Sequence, residues 1–260
     1  MKSSPPPSER AVVTTAASGD RREAEEYAAR FGLRAEPRDG RSLAQLLKAA
    51  GGPVLVLGSR RADLYQEGRS YRATVGMAFL RALRARKGEN DPLVAAAKLR
   101  KGDRVLDATL GLGGDALVAA QAARATVIGL ERNGLLAAFT QAALRRLPGH
   151  GREPGGRIEI IRADHRDYLR AQPDASFDVV LFDPMFRRAG GAASLFDVLR
   201  AHADHAPLDP PTLLEARRVA RRGVLIKDAF PGRELRRLGL VPQLTRRSAA
   251  ICFGWAGPLE

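Results

Sequence analysis

Two short stretches of this 260-residue chain carry residue types that can do chemistry together. The first, Val105-Leu-Asp-Ala-Thr-Leu-Gly-Leu-Gly-Gly-Asp115, reads as a buried strand that runs into a glycine-rich turn and then a helix. The second, Asp183-Pro-Met-Phe186, follows another apolar strand, Phe177-Asp-Val-Val-Leu-Phe182. The exocyclic amino group of a base is a poor nucleophile because its lone pair is delocalised into the ring. An enzyme that alkylates it must draw the nitrogen toward tetrahedral geometry and hold it in line with the donor. The Asp183 carboxylate and the Pro184 carbonyl can accept the two amino hydrogens, and Phe186 can stack on the base face. Proximity supplies much of the remaining acceleration. The chemistry expected is methyl transfer to a ring-attached nitrogen.

The glycine turn is where a donor would sit. Gly111, Gly113 and Gly114 let backbone approach a ligand closely, and open α/β sheets bind ligands at the carboxyl ends of their strands. Asp107 stands at such an end, where it can pair a cationic methionine amino group. Glu131 ends the next strand and can accept both ribose hydroxyls of an adenosine. Asp164 ends the third and can accept the adenine amino group. These are the parts of an S-adenosylmethionine site that needs no metal. The spacing Gly111-x-Gly113-x-x-Ala116, with Glu131 downstream, also satisfies the dinucleotide fingerprint, so a nicotinamide-dependent oxidoreductase stays open. Asp107 at the strand end, the downstream Asp183-Pro-Met-Phe186 and the lack of an obvious second substrate domain favour the methyl donor. His165 is a weaker candidate, as a general base.

The elements that must position these residues follow from periodicity. Strands are expected at 104–107, 126–131, 157–162, 177–183, 223–228 and 249–254, and helices at 115–123, 135–146 and 211–220, with a short turn at 168–170. Alternation of this kind predicts a mostly parallel sheet covered on both faces, with the last strand able to insert antiparallel at an edge. Residues 9–88 read as a separate small α/β module. A helix over 21–31 carries Ala24, Tyr27, Ala28 and Phe31 on one stripe, Ser42 can cap a second helix, and an amphipathic helix runs from about 74 to 86. Residues 1–8 read as a flexible tail, and Lys87-Gly-Glu-Asn-Asp-Pro92 as the boundary to a domain over 89–260.

Composition bounds the rest. A net charge of +14 favours a polyanionic partner. Arg81, Arg84, Arg86, Arg217, Arg218, Arg221 and Arg222 are the candidate phosphate contacts. The hydrophobic fraction of 45% is that of a globular protein, and no apolar run approaches the roughly 18 residues that would cross a membrane. The N-terminus lacks the apolar core of a signal peptide, and the cytoplasm is the default compartment. The single cysteine, Cys252, excludes an intramolecular disulfide framework and a cysteine-based zinc site.

Asp107-Ala-Thr-Leu-Gly-Leu-Gly-Gly-Asp-Ala116, Leu130-Glu-Arg-Asn133 and Asp183-Pro-Met-Phe186 resemble the motifs of the bacterial small-subunit ribosomal RNA guanine-N2 methyltransferase family, including its less characterised branch. The resemblance runs from Tyr71 to about Leu240. It implies a class I methyltransferase sheet, Rossmann-like with helices on both faces, S-adenosylmethionine as donor and RNA as partner. By position, Gly114 and Asp115, Glu131 and Arg132, Asp164 and His165, and Asp183 would line the donor pocket, and Lys227 matches a family lysine. Gly114, Asp164-His165 and Asp228-Ala-Phe230 depart from the ribosomal enzymes' pattern, which leaves the target nucleotide open. Methylation of DNA or a small molecule on the same fold, and a non-catalytic RNA-binding relative, remain as alternatives.

Overall fold

The computed structural model describes residues 10–16, 20–147, 157–184, 206–244 and 250–259. Their contacts divide into two units: 10–75 with 133–147, and 76–132 with 157–184 and 206–259.

The first unit is built on β1 (Val12–Thr15), α1 (Arg21–Phe31), β2 (Arg34–Ala35), α2 (Leu43–Ala50), β3 (Val54–Leu57), β4 (Ala62–Gln66) and β5 (Arg69–Arg72). The strands lie in the order β2-β1-β3-β4-β5. The first three run parallel, and β3-β4-β5 form antiparallel hairpins. Ala24, Tyr27, Ala28 and Phe31 are the buried stripe of α1, as their spacing predicts. Ser42 caps α2 through a capping box with Gln45.

The second unit starts with α3 (Met77–Arg86) and α4 (Pro92–Ala96), then alternates: β6 (Arg104–Asp107), α5 (Gly114–Ala122), β7 (Thr126–Glu131). From β7 the chain visits the first unit as α6 (Gly134–Arg145), which packs against α1 and β4 there. It resumes the second unit with β8 (Ile158–Arg162), α7 (His165–Ala171), β9 (Phe177–Phe182), α8 (Pro210–Val219), β10 (Ala220–Ala229), α9 (Arg233–Arg237), β11 (Gln243–Leu244) and β12 (Ile251–Ala256).

The sheet order is β11-β12-β10-β9-β6-β7-β8. The strands from β10 to β8 are all parallel, and β12 runs antiparallel to both its neighbours. The order reverses between β6 and β9, so the crevice above those two strand ends is the topological switch point where such sheets bind ligands. Their interiors, Val105-Leu106 and Val179–Phe182, are buried as a parallel sheet covered by helices requires.

Two expectations need correction. The last strand is not at the edge: β12 inserts between β10 and the two-residue β11, because Cys252 and Phe253 are buried and β11 is left to take the exposed rim. Residues 168–170 belong to a helix, α7, rather than to a short turn. Asp164 caps it by accepting from the Arg166 N–H, a local bond that starts a helix despite a weak apolar period. The proposed tail over 1–8 lies outside the described residues.

Candidate active site

The register of the sheet brings the candidate residues together. Asp107 pairs with Leu181 across β6 and β9, and Ile226 pairs with Phe182 across β9 and β10. One step beyond the second pair, Asp183 leaves β9 beside Lys227 of β10. Asp183 is anchored from below: its N–H donates to the Thr109 hydroxyl at 2.6 Å, which ties the turn after β6 to the turn after β9.

Asp107 is buried, 3% exposed, and accepts from the Thr109 N–H at 3.2 Å. Burial, reinforced by the neighbouring charges of Asp115 and Asp183, pushes its pKa up to about 8. Burial also raises Asp183 above the ordinary carboxylate range; Asp115 adds to this, and Lys227 and Arg81 oppose it. Lys227 donates to Asp115 Oδ2 at 2.7 Å and to Asp183 Oδ2. Burial works against its charge, yet the two carboxylates outweigh that and hold Lys227 well above the ordinary lysine value. Arg81 reaches the other oxygen of Asp115 at 3.4 Å and forks onto Asp91 at 3.0 and 3.1 Å. Asp91 also caps α4.

A cleft open to solvent lies above these groups. Its walls bring together Gly111, Glu131, Arg132, His165, Asp183 and Pro184 from four separate loops. Gly111 has φ +51°, and a Cβ built there would meet only the Thr109 carbonyl oxygen at 3.9 Å, so no side chain crowds the backbone at the cleft wall. The His165 ring meets Phe182 edge-on with centroids 5.6 Å apart.

Other predicted site residues stand elsewhere. Asp107, Gly113, Gly114 and Asp115 do not line the cleft. Gly113 caps α5 with φ +71°. A Cβ on Gly114 would lie 3.1 Å from that of Ala78, so this glycine serves the packing of α3 on α5. The Asp164 carboxylate is engaged by Arg166 at 3.1 and 3.2 Å and lies 3.7 Å from Arg132. Phe186 lies outside the described residues. Arg81 and Thr109 were not singled out for the site by sequence reasoning, and Lys227 entered only through the resemblance. A charged residue ending the apolar run Val224-Leu-Ile-Lys227 is the one signal that could have marked it.

The candidate phosphate contacts fare differently from expectation. Arg81 is committed to Asp91 and Asp115; Arg217 donates to the carbonyls of Gly257 and Pro258. Arg218 holds Glu215, Asp174 and the carbonyls of Leu169 and Gln172. Arg221 pairs with Asp178, and Arg222 with Asp103. These five are internal braces. Their acidic partners are distant in sequence in most cases, so a count of basic runs overestimates the charge available to a ligand. Arg84 and Arg86 remain exposed on α3.

Comparison with known proteins agrees with this architecture. Residues 42–227 match the family described as "Putative SAM-dependent methyltransferase". The chain is 33% identical to the uncharacterized protein YpiP of Bacillus subtilis over 84% of this chain and 86% of that one. It is 36% identical to ribosomal RNA small subunit methyltransferase J of Laribacter hongkongensis over 54% of this chain, and 35% identical to that of Alkalilimnicola ehrlichii over 64%. The matched stretches span 52% and 66% of those two relatives, about half to two-thirds of their length. The crystal structure of the SAM-dependent methyltransferase NGO1261 from Neisseria gonorrhoeae superposes with a TM-score of 0.65 at 19% identity, covering 95% of this chain and 96% of that one. A parallel sheet with its switch point over Asp107 and Asp183, and a family match across most of the chain, lead to one conclusion: this chain belongs to the S-adenosylmethionine-dependent methyltransferases, with a class I fold.

Proposed function

We propose that this enzyme methylates the exocyclic N2 of a guanine in small-subunit ribosomal RNA. The observation that carries the reading is Asp183-Pro184 at the wall of the cleft, held by Thr109 and Lys227 at the carboxyl edge of the sheet. The names of the ribosomal RNA relatives support the substrate class.

S-adenosylmethionine, when bound, supplies an electrophilic methyl group on a sulfonium. The chain's own residues fit that molecule. Gly111 carries no side chain at the cleft wall, Glu131 at the end of β7 can accept two ribose hydroxyls, and Asp107, which stands behind the wall, can pair an ammonium once that charge draws off its proton. Arg132, Asp164 and His165 cluster at the end where an adenine would rest. Gly113, Gly114 and Asp115 support this wall from the turn and first residues of α5.

At the acceptor end, Asp183 and the Pro184 carbonyl accept the amino hydrogens, leaving the nitrogen lone pair to attack. The N–C bond forms as the S–C bond breaks, and the methylated nitrogen then loses a proton to water. Phe186 is proposed to stack on the base. A base inside an A-form helix hides its amino edge, so the target is unpaired or flipped out at a cost of a few kcal/mol.

The test is mass mapping of ribosomal RNA from a deletion strain, complemented with wild type or with Asp183→Ala. Loss of one methyl group, restored by wild type alone, is the expected result. An unchanged RNA map together with methylation of a free nucleoside or of DNA would overturn the RNA reading.

A further inference from the structure

Lys227 has its side chain only 12% exposed and follows Val224, Leu225 and Ile226 in β10, each at most 2% exposed. An ammonium ion is expensive there unless its protons are satisfied. Asp115 and Asp183 satisfy two of the three. Asp115 is fixed in turn on its other oxygen by Arg81, and Arg81 is forked by the Asp91 that caps α4. The result is a chain of alternating charge, Asp91–Arg81–Asp115–Lys227–Asp183, whose inner members are each gripped from two sides. Only the last member also lines the cleft, and its side chain is 40% exposed.

We propose that Lys227 is a positioning residue for the acceptor: by bridging Asp115 and Asp183 it fixes the Asp183 carboxylate as an oriented hydrogen-bond acceptor at the cleft wall. This rests on the reading of the cleft as the site of methyl transfer to an amino group. Lys227 occupies Oδ2 and leaves Oδ1 to a ligand. An ionised carboxylate only accepts, and Pro184 has no N–H, so this end of the cleft offers acceptors at both positions. Together they suit the two hydrogens of one ring-attached amino group.

The charged and titratable groups around Asp183 are Lys227 on β10, Asp115 on α5, Asp107 on β6 and Arg81 on α3, with His165 on α7 along the same cleft. Removing the lysine leaves Asp183 among carboxylates, where it takes up a proton and becomes a donor. Removing the Asp115 charge does the reverse.

The test is a carbon-13 NMR titration of aspartate carboxyls in the full-length protein, with Asp183→Asn to assign the signal. It is paired with S-adenosylhomocysteine calorimetry and steady-state methylation of RNA. In Lys227→Met the Asp183 signal should titrate about 1 to 3 pH units higher than in wild type. In Asp115→Asn it should titrate lower, and in Lys227→Arg close to wild type. Lys227→Met should lose roughly tenfold or more in kcat with little change in KM, the pattern of a group that acts at the transition state. Its acidic limb of the pH profile should move upward with the NMR signal, and Lys227→Arg should recover the rate. Asp115→Asn gives the same readout in the opposite direction if Lys227→Met does not fold. An Asp183 titration unaltered in both variants, or a Lys227→Met defect confined to donor affinity, overturns the assignment. Should wild type methylate no RNA while the NMR shifts occur as stated, the substrate reading fails and the role of Lys227 stands.

Discussion

Asp107 illustrates how burial couples the charge of a single residue to stability. Unfolded, its carboxyl loses a proton near pH 3.8; folded, it keeps that proton up to about 8. Between those values the folded protein holds a proton that the unfolded chain has given up. Its contribution to stability is therefore full below pH 3.8, declines as pH rises and is gone above about 8. Asp107→Asn keeps an oxygen for the Thr109 N–H and removes the titration. The melting temperature of the variant relative to wild type should therefore rise between about pH 5 and about pH 8.5, while calorimetry shows weaker donor binding. A difference that does not depend on pH would sink the burial argument. Glu131→Ala should lose about 1.5–3 kcal/mol of affinity for S-adenosylhomocysteine, the worth of charge-assisted hydrogen bonds. Unchanged calorimetry would remove Glu131 from the ribose position.

At the scale of elements, the contact of α3 with α5 sets the back of the site. It brings Arg81 to Asp115 and depends on a small residue at 114, where a Cβ would come within 3.1 Å of Ala78. Gly114→Ala should gain a few tenths of a kcal/mol in helix propensity and lose about 1–2 kcal/mol by overpacking, for a net destabilisation. Ala78→Gly in the same chain should recover part of the loss, which denaturant unfolding of the single and double variants would measure. A stabilising Gly114→Ala would contradict this packing account. The start of α2 was readable because local chemistry marks it with Ser42, whereas the caps Asp20 of α1 and Asn133 of α6 came only with the structure. The short helix α7 was not, since its seven residues hold one fully buried apolar side chain and its cap, Asp164, reads equally well as a ligand.

For the whole molecule, the excess of basic residues is large, but its distribution matters more than its sum. The braces of Arg81, Arg217, Arg218, Arg221 and Arg222 stabilise the second unit. Arg222→Ala leaves Asp103 with the Arg100 N–H as its remaining donor and should cost about 1–3 kcal/mol, with no change in the salt dependence of RNA binding. Arg84→Glu with Lys87→Glu, both exposed on or beside α3, should instead weaken RNA binding and flatten its salt slope by about 0.7–0.9 per lost phosphate contact. Affinity for S-adenosylhomocysteine should stay the same. A wild-type slope near zero would hand the substrate to a small molecule.

The sequence by itself determined the parallel sheet, the glycine turn, and the carboxylates at the ends of β6, β7 and β9. Each of these is a local pattern: an apolar run, a turn residue or a cap within a few positions. Tertiary structure alone decided that Lys227 bridges Asp115 and Asp183, and that Gly114 is small for the sake of Ala78. It also decided that most of the candidate RNA-binding arginines are internal braces and that β12 inserts beside β10. Those outcomes pair residues that are far apart in the chain. Their energies depend on burial and on the sign of the nearest charge, and neither quantity exists until the strands are in register.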